Sequence, residues 1–161
     1  MYEQTSKAFT MIELIFVILV IGVLAGFAMS TLSATRDDAK VSNIVSNTRI
    51  ALNDIKTTYT SQGQETFNTL TVASVTAVPF TTTCGTLVPV STLIAGATLR
   101  LCAGTHECIR FDVNASGISV DITATTPSSI CEKVQSMKAI KGIAGATSGV
   151  AKNHTLGGSA R

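Results

Sequence analysis

A single acid, Glu13, lies inside the apolar stretch FTMIELIFVILVIGVLAGFAM, residues 9–29, where a carboxylate could have a chemical role. A helix rises ~1.5 Å per residue, so this stretch is long enough to cross a hydrocarbon core roughly 30 Å thick. An ionisable side chain in such a segment is energetically expensive and usually marks a function. The simpler interpretation places Glu13 in the lipid headgroup region, one turn into the helix.

The four cysteines, Cys84, Cys102, Cys108 and Cys131, all follow the apolar stretch, and none forms a Cys-x-x-Cys pair. Disulfides persist in oxidising compartments. We therefore expect disulfide bonds and a C-terminal part outside the cytoplasm, with the N-terminus inside. Three pairings are possible, and the local one would close two loops of comparable size.

Other chemistry is weakly supported by the sequence. A metal site built from His106, Cys102 and Cys108 is an alternative to disulfides, but this spacing matches no common zinc pattern. His106 and His154 are interpreted as exposed loop residues. The chain has no glycine-rich phosphate loop, supported carboxylate pair or nucleophile elbow. We therefore expect no enzyme activity, no cofactor and no metal.

A chain of 161 residues is long enough for one membrane-spanning element and one modest domain. Charged residues make up 14% of the chain, and the net charge of +2 favours no particular partner. The end of the chain is mildly basic, and we interpret this as a solvated face because no aromatic residue is interleaved. A DNA-binding surface is the competing interpretation, and it would use Lys138, Lys141, Lys152 and Arg161.

Hydrophobic periodicity predicts one long helix over residues 9–62, ending at Gly63. Its first part is apolar all round, whereas its second part carries one apolar stripe. The stripe comprises Val41, Ile44, Val45, Thr48, Leu52, Ile55 and Tyr59.

Alternating apolar residues after about residue 97 predict a small antiparallel sheet with one buried face. The segments CIRFDV and ISVDIT flank a turn at residues 114–117, which predicts a hairpin. Ser129 and Glu132 are spaced as a capping box, which predicts a short helix near 130–141 that ends at Gly142. The apolar face of this helix would consist of Ile130, Val134 and Met137. The remaining tail is expected to be extended or loosely docked.

The segment KAFTMIELIFVILVIGVLA, followed by a long amphipathic helix and a disulfide-bonded sheet, resembles the type IV pilin and type II secretion pseudopilin superfamily. The resemblance is specific over about residues 7–30 and architectural elsewhere. It implies an α+β fold in which a long N-terminal helix, transmembrane and then amphipathic, packs on a small antiparallel β-sheet head. The expected regions are a leader at 1–8, the two helix parts at 9–31 and 32–62, and the head at 63–161.

The resemblance also implies a function. Prepilin peptidase would cut between Ala8 and Phe9 and methylate the Phe9 amine, and inner-membrane assembly machinery would stack the apolar helices into a homo-oligomeric filament. Glu13 of one subunit would meet the Phe9 amine of its neighbour and set the register. The subunit would be a single-pass inner-membrane protein before assembly and part of a surface pilus or periplasmic pseudopilus afterwards. The absence of a compact acidic loop mildly favours the pilus.

The sequence departs from the family pattern at two positions. Ala8 replaces the usual glycine before the cut, and the usual proline some twenty residues into the mature chain is absent, with Ser30 near that place. Gly22 and Gly26 remain as points where the helix could loosen. Two competing interpretations are a secretory signal cleaved after Ala28-Met-Ser30 and a membrane-anchored or secreted periplasmic binding protein or enzyme.

One further motif, Asp112-Val-Asn114-Ala-Ser116, matches the acidic extended acceptor of bacterial N-glycosylation, which makes Asn114 a candidate modification site. The same residues are also ordinary turn chemistry. Asn153-His-Thr155 lacks the acid and is the weaker match.

Overall fold

The computed structural model describes residues 9–89, 91–122, 128–145 and 149–156, with the side chains of 29–34 excepted. The expected leader, including Ala8, lies outside the described residues. The chain divides into two compact units, Met1–Asp37 and Asp38–Arg161.

Four helices and six strands make up the described part of the chain. In chain order they are α1 (Met11–Thr69), α2 (Val72–Val75), β1 (Thr81–Thr83), β2 (Thr86–Leu87), β3 (Thr98–Ala103), β4 (His106–Val113), β5 (Gly117–Asp121), α3 (Ser129–Ser136), α4 (Lys138–Ala144) and β6 (Lys152–Thr155).

The described part of the first unit consists of Phe9, Thr10 and the N-terminal part of α1. Its segment Met11–Ala28 is long and apolar enough to cross a membrane, and none of it is buried within the chain. Length and composition alone are equally consistent with a membrane anchor and with a signal sequence. The helix stays regular at Gly22 and Gly26, since Gly63 is the residue of α1 with non-helical backbone angles.

In the second unit, α1 buries the stripe that the periodicity predicts. Val41, Ile44, Thr48, Leu52 and Ile55 are buried, and Val45 and Tyr59 pack against the same core. The buried Thr48 hydroxyl donates to the Ile44 carbonyl at 2.7 Å, which satisfies it inside the helix. At Gly63, φ is +77°, so the helix kinks there and resumes to Thr69.

The sheet is antiparallel throughout, with the strand order β2-β1-β3-β4-β5-β6. The predicted hairpin is β4 and β5, which place Phe111 opposite Val120 and Val113 opposite Ile118. Alternate residues of β3, β4 and β5 are buried in one core with the α1 stripe. The expected α+β class, with a long helix and a small antiparallel sheet, is therefore confirmed.

Four expectations about the C-terminal helix are wrong. The helix near 130–141 is two helices, because Met137 has extended backbone angles and separates α3 from α4. Met137 is exposed, and Ile140 and Ala144 take the buried positions instead. Ser129 forms no capping box, since the N-cap of α3 is Ser128 and makes no side-chain cap bond. Gly142 lies inside α4, which ends at Gly145.

The tail contributes a strand that the sequence interpretation did not predict. β6 pairs with β5, with Asn153 opposite Ser119 and His154 opposite Ile118. The segment before β6 is held by the buried carboxylate of Asp121, which accepts from the Gly149 backbone N–H at 3.1 Å. Asp121 also accepts from Arg110 at 3.1 Å, so one acid connects β4, β5 and the tail.

Candidate functional site

The N-terminal end of α1 is closed by a reciprocal cap between Thr10 and Glu13. The Glu13 Oε2 accepts from the Thr10 backbone N–H and from the Thr10 hydroxyl, each at 2.8 Å. In return, the Glu13 backbone N–H donates to Thr10 Oγ1 at 3.3 Å. The Thr10 carbonyl accepts from the Leu14 N–H, so Thr10 is the N-cap and Glu13 is the third helical residue.

This capping box gives Glu13 a role within its own chain. The acid accepts from the backbone N–H of Thr10, and the Thr10 hydroxyl accepts from the backbone N–H of Glu13, so the two side chains satisfy two donors that the helix start leaves unpaired. The charge of Glu13 lies near the positive end of the helix dipole. The sequence interpretation missed Thr10, although Thr followed three residues later by Glu before an apolar run is a recognisable capping-box pattern. The second oxygen, Oε1, has no partner within the described part of the chain.

Around this cap, the large apolar side chains are exposed on every face of the helix. Phe9 is 84% exposed and Met11 is 85% exposed, and further along Phe16 and Phe27 are 68% and 72% exposed. Leaving such an apolar surface in water is unfavourable by about 25 cal/mol for each Å². A helix that is apolar all round therefore requires a lipid or protein environment.

The disulfides join Cys84 to Cys102 and Cys108 to Cys131, and no cysteine is free. Of the three pairings left open by the sequence, the structure selects the local one. The first bridge ties the β1–β2 hairpin to β3, and the second ties β4 to α3. The alternative metal site is wrong, because Cys102 and Cys108 are oxidised in separate bridges and cannot serve as thiolate ligands. Within the described residues, no group of three His, Cys, Asp or Glu could hold a metal ion.

Neither histidine is an exposed loop residue. His106 is the first residue of β4 and is partly buried, and His154 lies in β6, where it is part of a contact between three elements. The Nε2 of His154 lies 2.7 Å from the Ile143 carbonyl near the end of α4, and its Nδ1 lies 3.4 Å from Lys56 Nζ on α1. A carbonyl only accepts and an ammonium only donates, so this geometry fits the neutral ring with its proton on Nε2. Burial lowers the pKa of His154, the Ile143 bond opposes this, and Lys56 and Lys152 lower it further.

Other polar surfaces are less organised. A groove of about 350 Å³ is lined by Lys40, Asn43 and Asn47 of α1 and by Thr81 of β1. Lys138 and Lys141 of α4 and Lys152 of β6 are exposed, whereas Arg161 lies outside the described residues.

The residues singled out from the sequence are divided between the two units. Glu13 and Phe9 belong to the first unit, and the four cysteines and Asn114 belong to the second. Comparison with protein-family models, curated proteins and solved structures gave no match.

Proposed function

We propose that this chain is a structural subunit of a type IV pilus-like filament, processed between Ala8 and Phe9 and assembled through its apolar N-terminal helix. One observation carries the proposal: an uncovered helix, apolar on every face, has a single acid in its first turn. The disulfide-bonded sheet unit supports it, because such bonds suit a compartment outside the cytoplasm.

Assembly would cover the apolar helix. Before assembly the helix would lie in the inner membrane, and in the filament the same surface would pack against the helices of neighbouring subunits. The exchange of lipid for protein keeps the apolar side chains out of water in both states. The filament would thus use a surface that the folded chain leaves entirely uncovered.

Glu13 would set the register of that packing. Its Oε2 already accepts two hydrogen bonds from Thr10, so the Phe9 amine of a neighbouring subunit would donate to Oε1. A buried carboxylate is tolerated when it is paired and hydrogen-bonded, and leaving it unpaired is strongly destabilising. Subunits shifted along one another would lose this pairing, which gives the assembly one preferred register.

The N-terminal tryptic peptide tests the proposal directly. Trypsin cleaves after Lys7 and Arg36, so an unprocessed chain yields residues 8–36 and a processed chain yields residues 9–36 with one added methyl group. We expect the methylated peptide beginning at Phe9 in protein sheared from the surface of intact cells. The same peptide confined to the membrane fraction would instead indicate a type II secretion pseudopilin. A chain beginning at Thr31 would overturn the proposal in favour of an ordinary secreted protein.

A further inference from the structure

The turn between β4 and β5 presents the sequence Asn114-Ala-Ser116 at the surface. Asn114 is exposed, and the turn is closed by a 2.8 Å bond from the Asn114 backbone N–H to the Gly117 carbonyl. The side-chain amide of Asn114 makes no hydrogen bond within the described part of the chain. An Asn-x-Ser sequence on a surface turn is the form in which N-glycosylation acceptors are found.

The second Asn-x-Thr sequence of the chain provides an internal contrast. Asn153 and Thr155 belong to β6, where they pair with Ser119 and Gly117 of β5. A glycosyltransferase must bend the acceptor so that the amide and the hydroxyl both reach its active site. The β4–β5 turn is already bent at this position, whereas β6 would have to leave the sheet.

The surroundings of Asn114 differ from those of Asn153 in charge as well. Asp112 precedes Asn114 by two residues, whereas Ala151 holds the matching place before Asn153. The Asp112 side chain is 40% exposed while it accepts from Thr98 at 2.8 Å and lies 3.4 Å from Arg110. A cationic group of an enzyme can therefore approach this acid from solvent.

Open space adjoins the acceptor. A groove of about 260 Å³ runs from Asn114 and Ser116 to Asn153 and Thr155. Its lining includes amide and hydroxyl groups, which can form hydrogen bonds with the hydroxyl groups of a sugar. The first sugars of a glycan would lie against this surface without displacing any core residue.

We propose that Asn114 is N-glycosylated, and that Asn153 is not. The donor would be a lipid-linked oligosaccharide diphosphate. The Asn114 amide nitrogen bonds to C1 of the first sugar and gives up one proton to a base of the transferase, while the C1–O bond breaks and the lipid diphosphate leaves with its electron pair. The reaction requires export of the sheet unit, which its disulfides favour, but it does not require filament assembly.

Tryptic digestion separates the two sequences. After reduction and alkylation, Asn114 is the sole asparagine of the peptide 111–133, and Asn153 lies in the peptide NHTLGGSAR, residues 153–161. For full-length protein from the cells that naturally make it, we expect a glycan mass on the first peptide and none on the second. Only unmodified 111–133 peptide, or a glycan on 153–161 alone, would overturn the proposal.

Matched variants distinguish the attachment atom. We expect Asn114→Gln and Ser116→Ala to abolish the mass shift, and Ser116→Thr, which keeps the hydroxyl, to retain it. A shift that persists in Asn114→Gln would mean attachment through a hydroxyl and would overturn the proposal. Because both residues lie in a surface turn outside the core, the variants should fold, and recovery of the Cys108–Cys131 bridge in non-reduced digests checks this. The result is independent of the N-terminal peptide that tests the proposed function.

Discussion

At the scale of single residues, Glu13 combines an observed role with a proposed one. The capping box with Thr10 explains why an acid is tolerated in the first turn of an apolar helix, since it satisfies donors that lipid would leave unpaired. The proposed role needs the negative charge, whereas the cap needs only a hydrogen-bond acceptor. The two roles can therefore be separated by substitution.

Glu13→Gln keeps an acceptor for the cap and removes the charge, because glutamine also serves at the third position of a capping box. We expect filaments to be lost in Glu13→Gln and in Glu13→Ala, and retained in Thr10→Ala, which loses about 1 kcal/mol of capping but keeps the charge. Electron microscopy of sheared surface fractions measures this. Filaments at the wild-type level in Glu13→Gln would show that the acid acts only as a cap.

His154 should make stability depend on pH. Its pKa in the folded chain is lowered from 6.5, so between the folded and unfolded pKa values the unfolded chain binds more protons. The contribution of this ring is present above the unfolded pKa and is lost as the pH falls towards the folded one. We expect the melting temperature to decline between about pH 7 and pH 5 more steeply in the wild type than in His154→Gln. Equal slopes would contradict the neutral Lys56–His154–Ile143 arrangement.

At the scale of elements, attachment of β6 depends on Gly145, the residue that ends α4. Its φ is +91°, and a Cβ there would lie 2.5 Å from the Val150 carbonyl oxygen. Only glycine permits both this backbone conformation and the close return of the chain towards β5. The tail is thus directed into the sheet by local backbone geometry.

Gly145→Ala should destabilise the protein by about 2 kcal/mol or more, because the new methyl group meets backbone and the left-handed conformation is strained. Gly142→Ala is the matched control. Gly142 lies inside α4, and no atom beyond its chain neighbours and the backbone of its own helix lies within 4 Å of the place that the methyl group would take. Alanine favours the helix by about 0.5–1 kcal/mol. Urea denaturation of the sheet unit measures the free energy of unfolding of both variants. Equal stability of the two variants would mean that the Gly145 turn does not hold β6.

At the scale of the whole molecule, the two units have different physical requirements. The residues of the buried core begin at Val41 and belong to the second unit, whereas the first unit buries none of its apolar span within the chain. Folding of the sheet unit should therefore be independent of the apolar helix, and association with membranes or other subunits should depend on that helix.

A chain beginning at Asp38 tests this division. We expect it to be monomeric without detergent and to melt within a few degrees of the full chain in detergent, because the described core and both disulfides are retained. Gel filtration and circular dichroism measure these properties. A truncated chain that is unfolded would show that the first unit contributes to the stability of the second.

Local patterns in the sequence determined much of this architecture. Three- and four-residue spacing predicted the stripe on α1, and alternation predicted the buried faces of β4 and β5, because both patterns follow from backbone geometry alone. The apolar span and the presence of disulfides were likewise predicted from residue type. The Thr10–Glu13 cap is also encoded locally, although the sequence interpretation did not include it.

Only the tertiary structure decided the features that join distant parts of the chain. Three cysteine pairings were possible from the sequence, because the spacing of cysteines along the chain does not indicate which sulfur atoms lie close together in the fold. β6 carries no strong alternation, and its place in the sheet depends on the Gly145 turn and on Asp121, which holds Gly149 across 28 residues of sequence. The partners of His154 also come from distant parts of the chain, since Lys56 lies on α1 and Ile143 lies on α4. Such contacts depend on how elements pack, and no local periodicity encodes that packing.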